Sequence, residues 1–241
     1  MEIKKITIIG AGTMGAGIAS AAALSGFEVC VADISQELLD KAKAAIDKNL
    51  SYALTKGKIT EEFKAKALNS VKFTTNIGEA AASDLILEVI TENLEIKRKL
   101  FKQLAEIVSA DTIVASNTSA LKISDLAAVS KFPDKVIGMH FFNPPVVMKL
   151  VELVKTDFTS EETFNTAKQF VEKLGKEAVA VKESCGFIVN RVLIPMINEA
   201  ALILQEGVAS AADIDKAMQL GANLPMGPLA LGDLVGLDVC L

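Results

Sequence analysis

The stretch "ITIIGAGTMGAGIA", residues 6–19, decides the fold. A β-branched apolar run meets Gly10-x-Gly12-x-x-Gly15 and gives way at once to a helix-like, alanine-rich segment. Strand, glycine turn and helix in that order open a dinucleotide-binding βαβ unit. Gly10 permits the tight turn, Gly12 lets the backbone approach a pyrophosphate, and Gly15 allows the helix to pack closely on the strand. The helix N-terminus then offers free N–H groups and a positive dipole end to phosphate. Asp33 ends the next strand-like run, "FEVCVAD", 18 residues after Gly15. An acid there can hydrogen-bond both ribose hydroxyls and repels a 2′-phosphate, which favours NAD over NADP. The alternative is that it merely caps the helix that follows, but the intact glycine pattern favours the cofactor.

Outward from this unit the alternation continues. "DLILEVI", "DTIVAS", "KVIGMH", "VMKLVELV" and "KEAVAV" read as strands, and "NLEIKRKLFKQLAEIV" and "SEETFNTAKQFVEKLG" as helices. Strands alternating with helices imply a parallel, doubly wound sheet covered on both faces, and the near-continuous apolar runs agree. One connection is too long for a single crossover helix. Residues 36–70 hold two helical stretches, with seven lysines against five acids. This helical hairpin is either a solvated arm or a docking arm for an anionic substrate. From Ser184 onward only helical signals remain. "SCGF" is expected to open a long apolar helix containing Pro195, and Ser210 to cap another with Asp213 at the capping-box position. The expected division is an α/β domain over 1–184 and an all-helical domain over 185–241, whose end, "LGDLVGLDVCL", looks cut off inside an element.

Composition narrows the function. Over 241 residues, 51% are hydrophobic and the net charge is −5, which argues against a nucleic-acid partner. Cys30, Cys185 and Cys240 stand far apart in no C-x-x-C spacing, and with one histidine a metal site is not expected. They read as reduced thiols in a cytoplasmic protein. The most membrane-like stretch, residues 187–204, carries Asn190, Arg191, Asn198 and Glu199, so a buried helix is expected rather than a membrane span.

The single histidine, His140, stands in "GMHFFNPP", at the C-terminal end of a strand, where open α/β sheets place their ligands. A group titrating near neutrality can take or return a hydroxyl proton in either direction of a hydride transfer. A lone histidine in apolar surroundings is also an ordinary core residue. Twelve residues on, Glu152 interrupts an apolar strand. A buried carboxylate needs a partner, and His140 would serve; an edge strand facing water would explain it too. In "SNTSAL", Thr118 or Ser119 either caps the next short helix or presents a hydroxyl to a reacting oxygen. Asn190 either joins two helices or binds a carbonyl. Spacing decides neither.

Taken together, "IGAGTMGAGIA", "ENLEIK", "ASNTSAL", "GMHFFNPPVVMKLVELV", "GFIVNRVLIPMINEA" and "GPLALGDLVGLD" resemble the L-3-hydroxyacyl-CoA dehydrogenase family over essentially the whole chain. Within it the likeness is to the bacterial single-function type acting on 3-hydroxybutyryl-CoA. The resemblance implies NAD as cofactor, an acyl-CoA substrate and a homodimer formed through the helical domain. It implies that His140 is the acid/base and Glu152 its partner carboxylate. Ser119 then contacts substrate and cofactor, and Asn190 the substrate carbonyl. Asn143, Glu92 and Lys97 fall near the nicotinamide and its ribose, and Lys56 on the hairpin near the CoA. Cys185 departs from the proline usual before "GF", and the family's helical domain continues beyond Leu241. A dehydrogenase of a free hydroxy acid or sugar acid, and a non-catalytic NAD-binding protein, are the competing readings.

Overall fold

The computed structural model describes residues 2–237; Cys240 and the last residues of the terminal apolar stretch lie outside the described residues. The chain divides into two compact units, Met1–Phe187 and Ile188–Leu241.

The first unit is built on an eight-stranded sheet of order β3-β2-β1-β4-β5-β6-β7-β8. Its strands are β1 (Lys5–Ile9), β2 (Glu28–Ala32), β3 (Val71–Thr74), β4 (Leu85–Glu88), β5 (Ile113–Ser116), β6 (Val136–Phe141), β7 (Leu150–Lys155) and β8 (Glu177–Lys182). Its helices are α1 (Thr13–Leu24), α2 (Gln36–Thr55), α3 (Glu61–Asn69), α4 (Leu94–Ile107), α5 (Ile123–Ala127) and α6 (Glu161–Lys173). The chain starts at the sheet centre, winds outward to β3, then returns to β4 on the other side of β1. That reversal between β1 and β4 opens a crevice at the carboxyl ends of the strands. The sheet is a Rossmann-type doubly wound one, as expected, with one departure. β6 and β7 are antiparallel, while every other neighbouring pair is parallel. The loop between them is too short for a parallel crossover, which takes about a dozen residues or more.

Two apolar clusters cover the two faces of the sheet. One gathers Ile6, Ile8, Val29, Val31, Leu85 and Leu87 with α1 and α2; the other gathers Ile9, Ile86 and Val114 with Leu100, Phe101 and Leu104 of α4. Helix α1 is rich in Gly and Ala and is buried from Gly15 to Ala23, so its backbone lies close on the sheet. The long connection is the expected helical hairpin. Helix α2 turns Leu39, Ala42, Ile46 and Leu50 inward, at helical spacing, and Asn49 donates to Ser20 of α1 at 3.0 Å. The cap of α2 is Ser35, whose Oγ accepts from the Leu38 N–H; Asp33 therefore has a different task.

The second unit is helical, with α7 (Val189–Gln205), α8 (Ala211–Gly221) and α9 (Pro228–Val235). "SCGF" does not start α7. Gly186 and Phe187 both have positive φ, 69° and 51°, and make a turn that delays the helix to Val189. Ser210 caps α8 by accepting from the Asp213 N–H, but the Asp213 carboxylate takes the Ser210 hydroxyl rather than reaching back to its N–H. The shorter acid does not close the reciprocal box that a glutamate makes. No described helix is long and apolar enough to cross a membrane.

Candidate functional site

The glycine turn is shaped by contact on two sides and by open space on the third. Gly10 has φ +114°, its N–H bonds the Ala32 carbonyl at 2.8 Å, and a Cβ there would lie 2.5 Å from the Val89 carbonyl oxygen. A Cβ on Gly15 would lie 1.8 Å from the Gly10 oxygen. At Gly12, the N-cap of α1, a Cβ would meet nothing within 4 Å. The turn is thus closed against the protein and open at the helix N-terminus, with no side chain capping it, which fits an incoming phosphate. Asp33 supports the same loop. Its Oδ2 accepts from the Ala11 N–H at 2.8 Å and its Oδ1 from the Ser35 N–H at 3.0 Å.

Across the crevice a polar network runs along the ends of β4 and β5. Lys97 of α4 is 1% exposed and donates to Glu88 Oε1 at 2.5 Å and to the Ile90 carbonyl at 3.3 Å. Glu88 Oε2 accepts from Ser116 Oγ at 2.5 Å. Glu92 Oε2 lies 3.4 Å from the same ammonium. Glu92 Oε1 accepts from Thr118 Oγ1 and, at 2.9 Å, from the Ser119 N–H. Burial works to raise the Glu92 pKa, but the Thr118 hydroxyl, the Lys97 charge and the Ser119 N–H outweigh it and hold the carboxyl below its usual 4.5. A depressed carboxylate contributes stability above its unfolded value that is lost as pH falls through the folded one. The stability gap between the wild type and Glu92→Gln is therefore expected to close below about pH 4.5 in thermal unfolding across pH. A gap that widened on acidification would contradict this.

The "SNTS" loop is tied to the histidine strand. Asn117 Oδ1 accepts from the Phe141 N–H at 2.8 Å. Thr118 Oγ1 accepts from the Leu121 N–H, forming a turn, while α5 begins later with Lys122 as its cap, so neither Thr118 nor Ser119 caps that helix. Ser119 is exposed at the carboxyl end of β5.

His140 and Glu152 are directly opposed across β6 and β7, in register. Cross-strand partners share a face, so strand pairing alone brings the side chains together. His140 Nδ1 lies 2.7 Å from Glu152 Oε2, with His140 4% and Glu152 0% exposed. Glu152 is thus interior, not on an edge. A carboxylate only accepts, so the Nδ1–H donates to it, and in the neutral ring this leaves the lone pair on Nε2. Phe142 and Phe187 flank the ring, with centroids at 4.5 and 5.5 Å. Sequence reasoning missed Phe187, Asn117 and the Glu88 anchor; an acid inside the apolar run "DLILEVI" was the available signal for Glu88.

Of the remaining residues, Asn143 is exposed on the loop after β6. Lys56 is exposed at the C-cap of α2, 5.4 Å over the Tyr52 ring. Asn190 lies in the first turn of α7, in the second unit. Among the described residues no group of three His, Cys, Asp or Glu side chains is placed to hold a metal. Cys30 is buried and burial raises its pKa; Cys185 is exposed.

Two family profiles match the chain end to end. The 3-hydroxyacyl-CoA dehydrogenase NAD binding domain matches residues 5–184, and the 3-hydroxyacyl-CoA dehydrogenase C-terminal domain matches 186–241. The chain belongs to the 3-hydroxyacyl-CoA dehydrogenase family. It is 52% identical to a 3-hydroxybutyryl-CoA dehydrogenase of Clostridioides difficile over 98% of this chain and 84% of that one. It is 44% identical to the human mitochondrial hydroxyacyl-coenzyme A dehydrogenase, over 98% and 77% of the two chains. The crystal structure of (S)-3-hydroxybutyryl-CoA dehydrogenase PaaH1 from Ralstonia eutropha superposes with a TM-score of 0.97 at 46% identity, covering 99% of this chain and 84% of that one. As in the family, the first domain binds NAD.

Proposed function

We propose that this chain is an NAD-dependent dehydrogenase that interconverts (S)-3-hydroxybutyryl-CoA and acetoacetyl-CoA, with His140 as acid/base. NAD, when bound, supplies the hydride acceptor. His140 Nε2 takes the C3 hydroxyl proton in oxidation and returns it in reduction. Glu152 holds the imidazole in the tautomer with Nε2 free and stabilises the imidazolium once formed. The observation that carries this reading is the buried His140–Glu152 pair at 2.7 Å, at the carboxyl end of the sheet. Ser119 and Asn190 are assigned to the substrate oxygens and Lys56 to the CoA. Glu92, Lys97 and Asn143 are assigned to the nicotinamide end of the cofactor. The family resemblance supports these assignments. A homodimer through the helical unit is part of the proposal, supported by apolar side chains on that unit's surface, among them Val208, Leu220 and Leu234. The proposed location is the cytoplasm.

The test is NAD reduction with (S)-3-hydroxybutyryl-CoA beside its (R) isomer. Reduction with the (S) isomer alone is expected, and equal rates with both would overturn the proposal.

Asp33 gives a cofactor prediction. It directly follows β2, and its carboxylate already orders the glycine turn through the Ala11 N–H. A hydrogen bond to a charged group contributes about 1.5–3 kcal/mol. Asp33→Ala is therefore expected to weaken NADH binding about ten-fold or more in a fluorescence titration, and NADPH binding less. An unchanged NADH dissociation constant would remove Asp33 from the site.

A further inference from the structure

Lys176 is the one buried lysine besides Lys97 among the described residues, and it has no task in the chemistry above. It is 8% exposed, and its ammonium donates to the Pro145 carbonyl at 2.5 Å and the Met148 carbonyl at 2.6 Å. Both carbonyls belong to the loop between β6 and β7, which carries Asn143. The lysine is itself held in place. α6 ends in a Schellman turn: Gly175, at φ +70°, bonds the Glu172 carbonyl, and the Lys176 N–H bonds the Val171 carbonyl. The next N–H, of Glu177, bonds the Lys149 carbonyl at 2.8 Å. Burying an ammonium costs several kcal/mol unless polar groups receive it, so two aimed carbonyls are a specific arrangement. Burial pushes the Lys176 pKa down.

The opposite side of the loop is also gripped. A Cβ on Gly17 of α1 would lie 2.9 Å from Pro145 Cδ and 3.0 Å from its Cγ, so the proline ring is seated on the backbone of the helix that the glycine turn opens. Pro145 is buried while Asn143 and Pro144 are exposed.

We propose that Lys176 is a positioning residue, clamping the Pro145 loop onto α1 and so fixing Asn143 relative to the cofactor-binding turn and His140. The proposal rests on the assignment of this loop to the nicotinamide end of the site. The lysine acts only through backbone carbonyls. Misplacing a positioned group by about an ångström can cost on the order of a hundred-fold in rate.

The experiment is a double-mutant cycle of Lys176→Met with Asn143→Ala, read in kcat for NADH-dependent reduction of acetoacetyl-CoA and in the NADH dissociation constant. Lys176→Met is expected to lower kcat about ten- to a hundred-fold. NADH binding, set mainly by the glycine turn, is expected to stay within about two-fold. The doubly substituted protein is expected to be no slower than the slower single variant, because both act on one loop. Gly17→Ala, which favours the helix but pushes on Pro145, is the second variant and is expected to lower kcat as well; it decides the matter if Lys176→Met does not fold. Multiplying losses in the cycle, or wild-type kcat in both Lys176→Met and Gly17→Ala, would overturn the clamp. An impaired Lys176→Met beside an unaffected Asn143→Ala would instead keep the clamp and overturn the loop's assigned task.

Discussion

Replacing His140 with alanine is expected to lower kcat for reduction of acetoacetyl-CoA by about 10²–10⁴-fold, the usual contribution of a positioned acid/base. NADH binding is expected to be nearly unchanged, because the glycine turn and Asp33 follow β1 and β2, and β4 and β5 stand between those strands and β6. Glu152→Gln tests the other half of the pair. The amide can still accept from Nδ1–H, so the tautomer is retained, but the negative charge beside the forming imidazolium is gone. Its loss is expected to be large yet smaller than that of His140→Ala. Combined, the two changes are expected to cost no more than His140→Ala alone, since groups that act as a unit are not additive. A His140→Ala protein with most of the wild-type kcat would sink the assignment.

The second large effect concerns stability. Lys97→Met is expected to destabilise the first unit by about 3–5 kcal/mol, because it leaves the Glu88 carboxylate buried without its counter-charge. Glu88 is 0% exposed and shares Lys97 and Ser116 as partners. Replacing both members, Glu88→Leu with Lys97→Met, is expected to recover much of that loss, because no isolated charge remains. Urea unfolding of the three variants provides the measurement. A loss below about 1 kcal/mol for Lys97→Met would mean that the pair behaves as a surface salt bridge and that Glu88 is not truly desolvated.

These two pairs also show how far the sequence can be read. His140–Glu152 was legible because both anomalies were visible: one histidine in the chain, and an acid inside an apolar strand. Pairing them required only that the two strands be neighbours. Their antiparallel direction was legible too, in the shortness of the intervening loop, but repeated β/α alternation pointed to a parallel sheet. Glu88 carries the same signal as Glu152, an acid inside an apolar strand, but the sequence does not show its partner. Its partner sits on the following helix, and no strand or helix period links the two. The glycine turn and helical hairpin followed from local patterns that long-range packing did not override. Phe187 and Lys176 did not. A phenylalanine at positive φ runs against ordinary backbone preference and is held there by its surroundings. A lysine at a strand start is ordinarily solvated, and burial of this one depends on where a distant loop places its carbonyls.

The most direct measurement is steady-state NADH oxidation by the wild-type protein with acetoacetyl-CoA and, separately, with free acetoacetate. The predicted result is efficient turnover of the thioester and little or none of the free acid. Equal turnover of both, or turnover of the free acid alone, would contradict it.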